Sequence, residues 1–181
     1  KLKILAELTK LRQICCDPRL HYEDYKAGSA KLDTCMELVH GALDGGHRIL
    51  LFSQFTGMLD IIGKRLAKED IAFLKLTGAS SKESRAKMVA QFQAGEVPVF
   101  LISLKAGGVG LNLTAADVVI HYDPWWNVAA QDQATDRAHR IGQQHTVTVY
   151  KLIAKDTIEE RIMQMQESKR DLVNSVLGGD G

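Results

Sequence analysis

The stretch "RILLFSQFTGMLDIIGKRLAKEDIAFLKL" (residues 48–76) decides the fold. Its opening, "RILLFS", is a short, nearly continuous apolar run, the pattern of a strand buried on both faces. "TGMLDIIGKRLAKE" changes the period: apolar and charged residues now alternate at helical spacing, which predicts an amphipathic helix. "IAFLKL" returns to the strand pattern. A strand, a helix and a second strand at this spacing predict parallel strands joined by a crossover helix.

The alternation continues outward. "TGASSKESRAKMVAQFQ" (residues 77–93) predicts a helix with a capping box from Ser80 and Glu83 and an apolar stripe of Met88, Val89 and Phe92. "VPVFLIS", "DVVIHY" and "TVTVYKLI" are three further strands. On the N-terminal side, "SAKLDTCMELVHGAL" reads as a helix entered at Ser29 and closed by Gly45 and Gly46. Before it, Ile4, Leu8, Leu11 and Cys15 recur at helical spacing until Pro18 stops them. The tail, "DTIEERIMQMQESKRDLVNSVLGG", predicts one long helix with a second capping box, Thr157 and Glu160. Its apolar seam is Ile158, Ile162, Met165, Leu172 and Val176, expected to pack on its own domain. The class is α/β, a parallel sheet covered by helices on both faces.

Composition narrows the function. The 181 residues carry a net charge of +1, so whole-chain charge points to neither nucleic acid nor membrane, and any electrostatic site must be local. A chain of this length buries roughly 70% of its unfolded surface and needs no staples. The three cysteines, Cys15, Cys16 and Cys35, are odd in number, include an adjacent pair and lack metal-ligand spacing. They read as reduced and structural, which predicts an intracellular setting. No apolar run approaches the ~18 residues of a membrane span. The chain opens in the middle of a helical pattern without Met, as expected of a piece of something longer.

In an open α/β sheet, ligands bind beyond the carboxyl ends of the strands. Here those ends run into Ser53–Gln54, Thr77–Gly78, Ser103 with Lys105, and Asp123 followed by Trp125 and Trp126. Hydroxyls and free backbone N–H groups suit phosphate oxygens; turn chemistry alone also accounts for them. The Gly-rich "AGGVGLNL" is not a dinucleotide fingerprint, because Leu113 stands where the third glycine belongs. No G-x-x-x-x-G-K-[ST] occurs anywhere, so this chain cannot fully cradle a nucleoside triphosphate by itself. Of the two tryptophans, Trp125 is expected to be mostly buried and Trp126 nearer the surface.

"QDQATDRAHRIGQQ" (residues 131–144) is almost free of large apolar side chains. As a helix it places Gln133, Arg137 and Arg140 on one face, with Gly142 closing it. Pairing within the helix, such as Asp136 with Arg140, accounts for one arginine. Two guanidiniums aimed at a phosphate account for both, because planar donors grip phosphoryl oxygens bidentately.

That segment resembles motif six of the Swi/Snf-type ATPases, within the superfamily-two helicases. The resemblance covers nearly the whole chain. "LRQICCDPRL" is similar to the family's LRxxCxHP segment, "SAKLDTCMELV" to its SGKL segment and "ILLFSQFTGMLDII" to motif four. "LKLTGASSKESRAKMVAQFQ" resembles the LDGST segment, "VFLISLKAGGVGLNLTAADVVIHYDPWWN" motif five and its extension, and "VYKLIAKDTIEERI" the closing motif. Asp17, Thr77, Leu104 and Val128 depart from the family's usual residues.

The resemblance implies a RecA-like second lobe of a two-lobed motor. Residues 1–28 would form a helical segment and connector to the first lobe, 29–154 the lobe, and 155–181 a brace helix. ATP with Mg would sit between lobes, held mainly by the first lobe. Arg137 and Arg140 would be arginine fingers, with Gln133 orienting them; Gly110 and Asn112 would lie near the ribose. Ser53, Gln54, Thr77, Gly78, Ser103, Lys105 and Trp126 would contact the backbone of double-stranded DNA. The partners are then duplex DNA and the first lobe, and the chain alone would not hydrolyse ATP. The setting would be a prokaryotic cytoplasm, on the nucleoid, or a eukaryotic nucleus. The alternative is a non-catalytic RecA-like binding or regulatory module. A self-contained dinucleotide enzyme fails on the absent fingerprint.

Overall fold

The computed structural model describes residues 1–104, 111–125, 127–136, 138 and 146–177. The chain runs α1 (Leu2–Cys16), a 3-10 turn (Pro18–Leu20), α2 (Ala30–Asp44), β1 (Ile49–Ser53), α3 (Thr56–Lys68), β2 (Phe73–Leu76) and α4 (Lys82–Gln93). It continues β3 (Val99–Ser103), β4 (Val118–His121), α5 (Val128–Asp136), β5 (Thr148–Lys151) and α6 (Ile158–Leu177). All strand pairs are parallel, in the order β2-β3-β1-β4-β5.

The apolar strands follow from burial on both faces. Successive side chains of a strand point to opposite sides. Ile49 and Leu51 therefore join α2 and α3 in one core with Met36, Val39, Met58 and Ile62. Leu50 and Phe52 join α4 and α5 in the other, with Phe92, Phe100 and Ala134. Both sets are fully buried, and this is why β1 reads as an unbroken apolar run rather than an alternation. Gly63 shows how closely α3 lies on the sheet: a Cβ there would come within 3.0 Å of the Phe73 ring.

Caps set the helix starts. Ser29 accepts the Leu32 N–H at 3.2 Å, and Gly46 closes the far end of α2 at φ +75. Two expectations are corrected. In α4 the cap is Ser81, which accepts from Ser84 N–H at 3.1 Å. Ser80 is engaged one turn earlier, where its hydroxyl takes the Thr77 N–H at 3.1 Å. In α6, Thr157 caps as expected, accepting from Glu159 N–H at 3.1 Å, but the carboxylate that reaches back is Glu159, not Glu160, and it takes the Ala154 N–H, at 2.8 Å, ahead of the cap.

The tail helix also packs differently. Its buried residues are Glu159, Ile162 and Gln166, a mostly polar stripe. The expected seam faces outward beyond Ile162: Met165 is 49% exposed, Leu172 65% and Val176 70%. The domain receives α6 through the start of that seam, with Ile162 fully buried, and beyond it through hydrogen bonds and charge. Among the described residues, no helix is long and apolar enough to cross a membrane.

Candidate functional site

β1, β3 and β4 are neighbours at the centre of the sheet. Ser53 pairs with Ser103 and Phe52 with His121, so these strands end side by side on one edge. β2 ends on the same edge, with Leu76 opposite Ile102.

Asp123, two residues beyond β4, organises this edge. It is 2% exposed, and both its oxygens are engaged. Ser53 donates its hydroxyl to Oδ1, and the Gln54 N–H reaches Oδ2 at 3.2 Å. The Phe55 N–H donates to Ser53 Oγ at 3.1 Å, which fixes the turn into α3. Burial pushes the Asp123 carboxyl above its ordinary value, opposed by the Ser53 hydrogen bond and the charge of Lys31.

α1 reaches the same turn. The buried Arg12 guanidinium donates to Oε1 of Gln54 and lies 5.7 Å from the Phe55 ring centroid. Burial lowers its pKa, and the Asp123 charge works the other way. Beside it, Lys31 Nζ sits 2.6 and 2.7 Å from the two oxygens of Glu159, tying the start of α2 to the start of α6. Burial raises the Glu159 pKa and Lys31 opposes the rise. Lys31 also lies 5.2 Å from the Tyr122 ring centroid, and the Tyr122 hydroxyl donates to the Cys16 carbonyl at 2.9 Å.

α5 hangs from this edge by side chains. His121 Nε2 is 2.9 Å from Thr135 Oγ1, and its ring stacks on Phe52 at 5.5 Å. Burial drives the imidazole pKa down to about 4, with Lys151 adding to the drop, so the ring is neutral near pH 7. On the outer side, Arg170 of α6 pairs with Asp132 at 2.8 Å, and Gln166 donates its amide to the Trp125 carbonyl. The segment after Asn112 is anchored by Gln93 at the end of α4. Its amide donates to Thr114 Oγ1 at 3.1 Å and accepts the Ala115 N–H at 2.8 Å.

The sequence-predicted residues divide as follows. Gln54 and Thr77 are half-buried on the edge, while Gly78, Asn112 and Gln133 are exposed. Ser53 and Ser103, expected among the outward contacts, are instead buried, because the parallel register pairs them inside the sheet beneath Asp123. Trp125 is more buried than exposed, as expected. Of the predicted helix, the part through Asp136 is present as α5, which starts earlier, at Val128, and carries Gln133; the Ala138 N–H donates to the Thr135 carbonyl at 3.1 Å, and the rest of the predicted helix lies outside the described residues. Lys105, Gly110, Trp126, Arg137 and Arg140 lie outside the described residues. Sequence reasoning missed Arg12, Lys31, Glu159 and His121. Their only signal was a polar residue standing in or next to an apolar run. Among the described residues, no cluster of three or more His, Cys, Asp or Glu is placed to hold a metal ion.

A parallel sheet sandwiched by helices, with amides and hydroxyls at its carboxyl edge, defines a RecA-like lobe of the P-loop NTPase type. The helicase conserved C-terminal domain model matches residues 30–142, and the chain belongs to that family, as the C-terminal lobe of a Swi/Snf-type ATPase. It is 45% identical over 178 residues to an uncharacterized ATP-dependent helicase of Mycoplasma pneumoniae, covering 98% of this chain and 17% of that protein. It is 44% identical over 185 residues to a putative ATP-dependent helicase/translocase of Bacillus subtilis, covering 98% and 20%. It superposes on the Sulfolobus solfataricus SWI2/SNF2 ATPase core in complex with dsDNA with a TM-score of 0.79 at 38% identity, covering 98% of this chain and 38% of that one. The chain thus spans about a fifth of the length of the relatives it matches.

Proposed function

We propose that this chain is the second motor lobe of an ATP-dependent double-stranded-DNA translocase that remodels protein–DNA complexes. The observation that carries the reading is that β1, β2, β3 and β4 end on one edge of the sheet, where Gln54 and Thr77 are half-buried. On this reading a ligand at that edge would meet Gln54, Asn112 and Gln133 together with Arg137 and Arg140. On this reading ATP and Mg are held by the first lobe. The donor set here fits that division: the described residues at the strand ends offer amides and hydroxyls, and the Asp123 carboxylate has both oxygens engaged.

Arg137 and Arg140 then act as arginine fingers. Permanent positive charge placed where the transferred phosphoryl group gathers negative charge is worth about 10³–10⁵ in rate. Gln133 orients that pair. Gly110 and Asn112 face the ribose side. The DNA contacts are backbone contacts, from Gln54, Thr77, Gly78, Lys105 and Trp126, with Ser53 and Ser103 shaping the edge from beneath; they position the duplex without reading its sequence. ATP bridging both lobes closes the cleft. Loss of the γ-phosphate releases it, and the gripping edge moves with its lobe. Residues 1–28 connect to the first lobe and residues 155–181 brace against it.

The reading is tested in a protein that joins this lobe to a Walker-containing first lobe. The chain alone is expected to show no appreciable ATPase, and the joined protein DNA-stimulated hydrolysis. Arg140→Ala should then lose most turnover while ATP binding largely survives. An unchanged rate in that variant refutes the finger assignment.

A further inference from the structure

The contact between Arg12 and Gln54 constrains the amide more than a single hydrogen bond implies. Arginine carries donors only. The group facing it must therefore be the amide oxygen, and the assignment found, Arg12 to Gln54 Oε1, is the one chemistry permits. With the oxygen committed inward, the NH2 group turns the other way, and one of its hydrogens reaches the Pro124 carbonyl at 3.4 Å. Its second hydrogen has no acceptor among the described residues. The Gln54 main chain is held as well, by Asp123. Arg12 in turn is fixed by burial, at 8% exposure, and by the Phe55 ring. A half-buried amide is thus locked in one of its two flips, as a donor, at the carboxyl edge of the sheet.

We infer that Arg12 is a positioning residue for duplex DNA: it holds Gln54 as a donor to a backbone phosphate oxygen and thereby links α1 to the DNA-gripping edge. The inference rests on the proposed DNA-binding role of that edge. An unrestrained glutamine flips and presents its oxygen to the phosphate as readily as its NH2. Phosphate oxygens are acceptors, so that flip is repulsive. Arg12 removes it without touching DNA.

The test is the affinity of the protein for a fluorescein-labelled duplex of mixed sequence, followed by anisotropy across a salt series, with thermal unfolding in parallel. Gln54→Met should weaken binding about five- to tenfold, the worth of one hydrogen bond to a charged acceptor. Arg12→Gln, which leaves one flip in two competent and also frees the side-chain rotamer, should weaken it about two- to fivefold. Because Arg12 acts through Gln54, adding Arg12→Gln to Gln54→Met should weaken binding no further. The salt slope should stay the same in every variant, since no cation leaves a phosphate. Arg12→Lys, also a pure donor, should restore most of the loss. Gln54→Glu keeps an acceptor for Arg12, so it folds whatever Arg12→Gln does, and it should bind at least tenfold more weakly. Additive losses in the double variant, an unchanged Arg12→Gln, or full binding by Gln54→Glu overturn the inference. If the unaltered protein fails to bind duplex DNA, the reading beneath it falls instead.

Discussion

His121 gives the protein a calculable acid sensitivity. The ring is 1% exposed, and its pKa falls from an ordinary 6.5 to about 4 in the fold. A depressed histidine pKa means that the unfolded chain binds a proton the folded chain refuses. Between about pH 4 and 6.5 the unfolded state therefore holds more protons, and stability rises with pH across that window. The stabilisation is complete above 6.5 and is lost as pH falls toward 4. A gap of about 2.5 pK units corresponds to about 3 kcal/mol, at 1.36 kcal/mol per unit. Asp123 and Glu159, whose carboxyls burial pushes upward, contribute with the opposite sign. The histidine share must therefore be read as a difference between two proteins. His121→Gln keeps a hydrogen-bonding atom within reach of Thr135 but does not titrate. Urea unfolding at half-unit steps from pH 4.5 to 7.5 should show the original protein losing about 2–3 kcal/mol more than the variant on acidification. Parallel curves would refute the assignment of a buried, neutral imidazole.

Lys31→Met leaves Glu159 charged and buried, and should cost about 3–5 kcal/mol by denaturant unfolding; adding Glu159→Leu should recover most of it, because the pair is nearly as costly to desolvate as it is attractive. Arg170→Ala removes an ion pair whose side chains are 44% and 54% exposed, and should change stability by no more than about 1 kcal/mol. A thiol reagent at pH 8 should modify Cys15 slowly and leave Cys16 and Cys35 intact until the protein unfolds, since burial pushes both thiols up, Cys35 to about 12; mass spectrometry counts the adducts.

The sheet was legible because period and burial coincide. Ile49, Leu50, Leu51 and Phe52 are apolar without alternation, and only a strand covered on both faces needs that. The edge was legible because small hydroxyl residues and glycines follow such strands. What the sequence could not show was which hydroxyl is consumed. Ser53 and Thr77 look alike in the chain, yet one is sealed under Asp123 and the other stays half-open. That difference depends on β4 lying beside β1, a non-local fact. The tail helix misled for a related reason. Its seam Met165, Leu172 and Val176 has the right spacing for packing, but Glu159, Gln166 and Arg170 find partners on other elements that periodicity does not reveal.

Those partners explain segments that carry no phosphate chemistry. "LRQICC" supplies Arg12, "SAKL" supplies Lys31, and "TIEERI" supplies Glu159; Arg12 feels the charges of Asp123 and Glu159, and Lys31 acts on both carboxylates. Apolar residues of equal volume would hold these helices together about as well. They would hold them in any of several registers, however, because packing of this kind is non-directional. A lysine that must meet a carboxylate at 2.6 Å, and an arginine that must meet an amide oxygen, permit one arrangement of α1, α2 and α6 on the sheet. On the proposed function, which has this lobe present Gln54 and the α5 segment to ligands it does not enclose, a single arrangement matters more than extra stability.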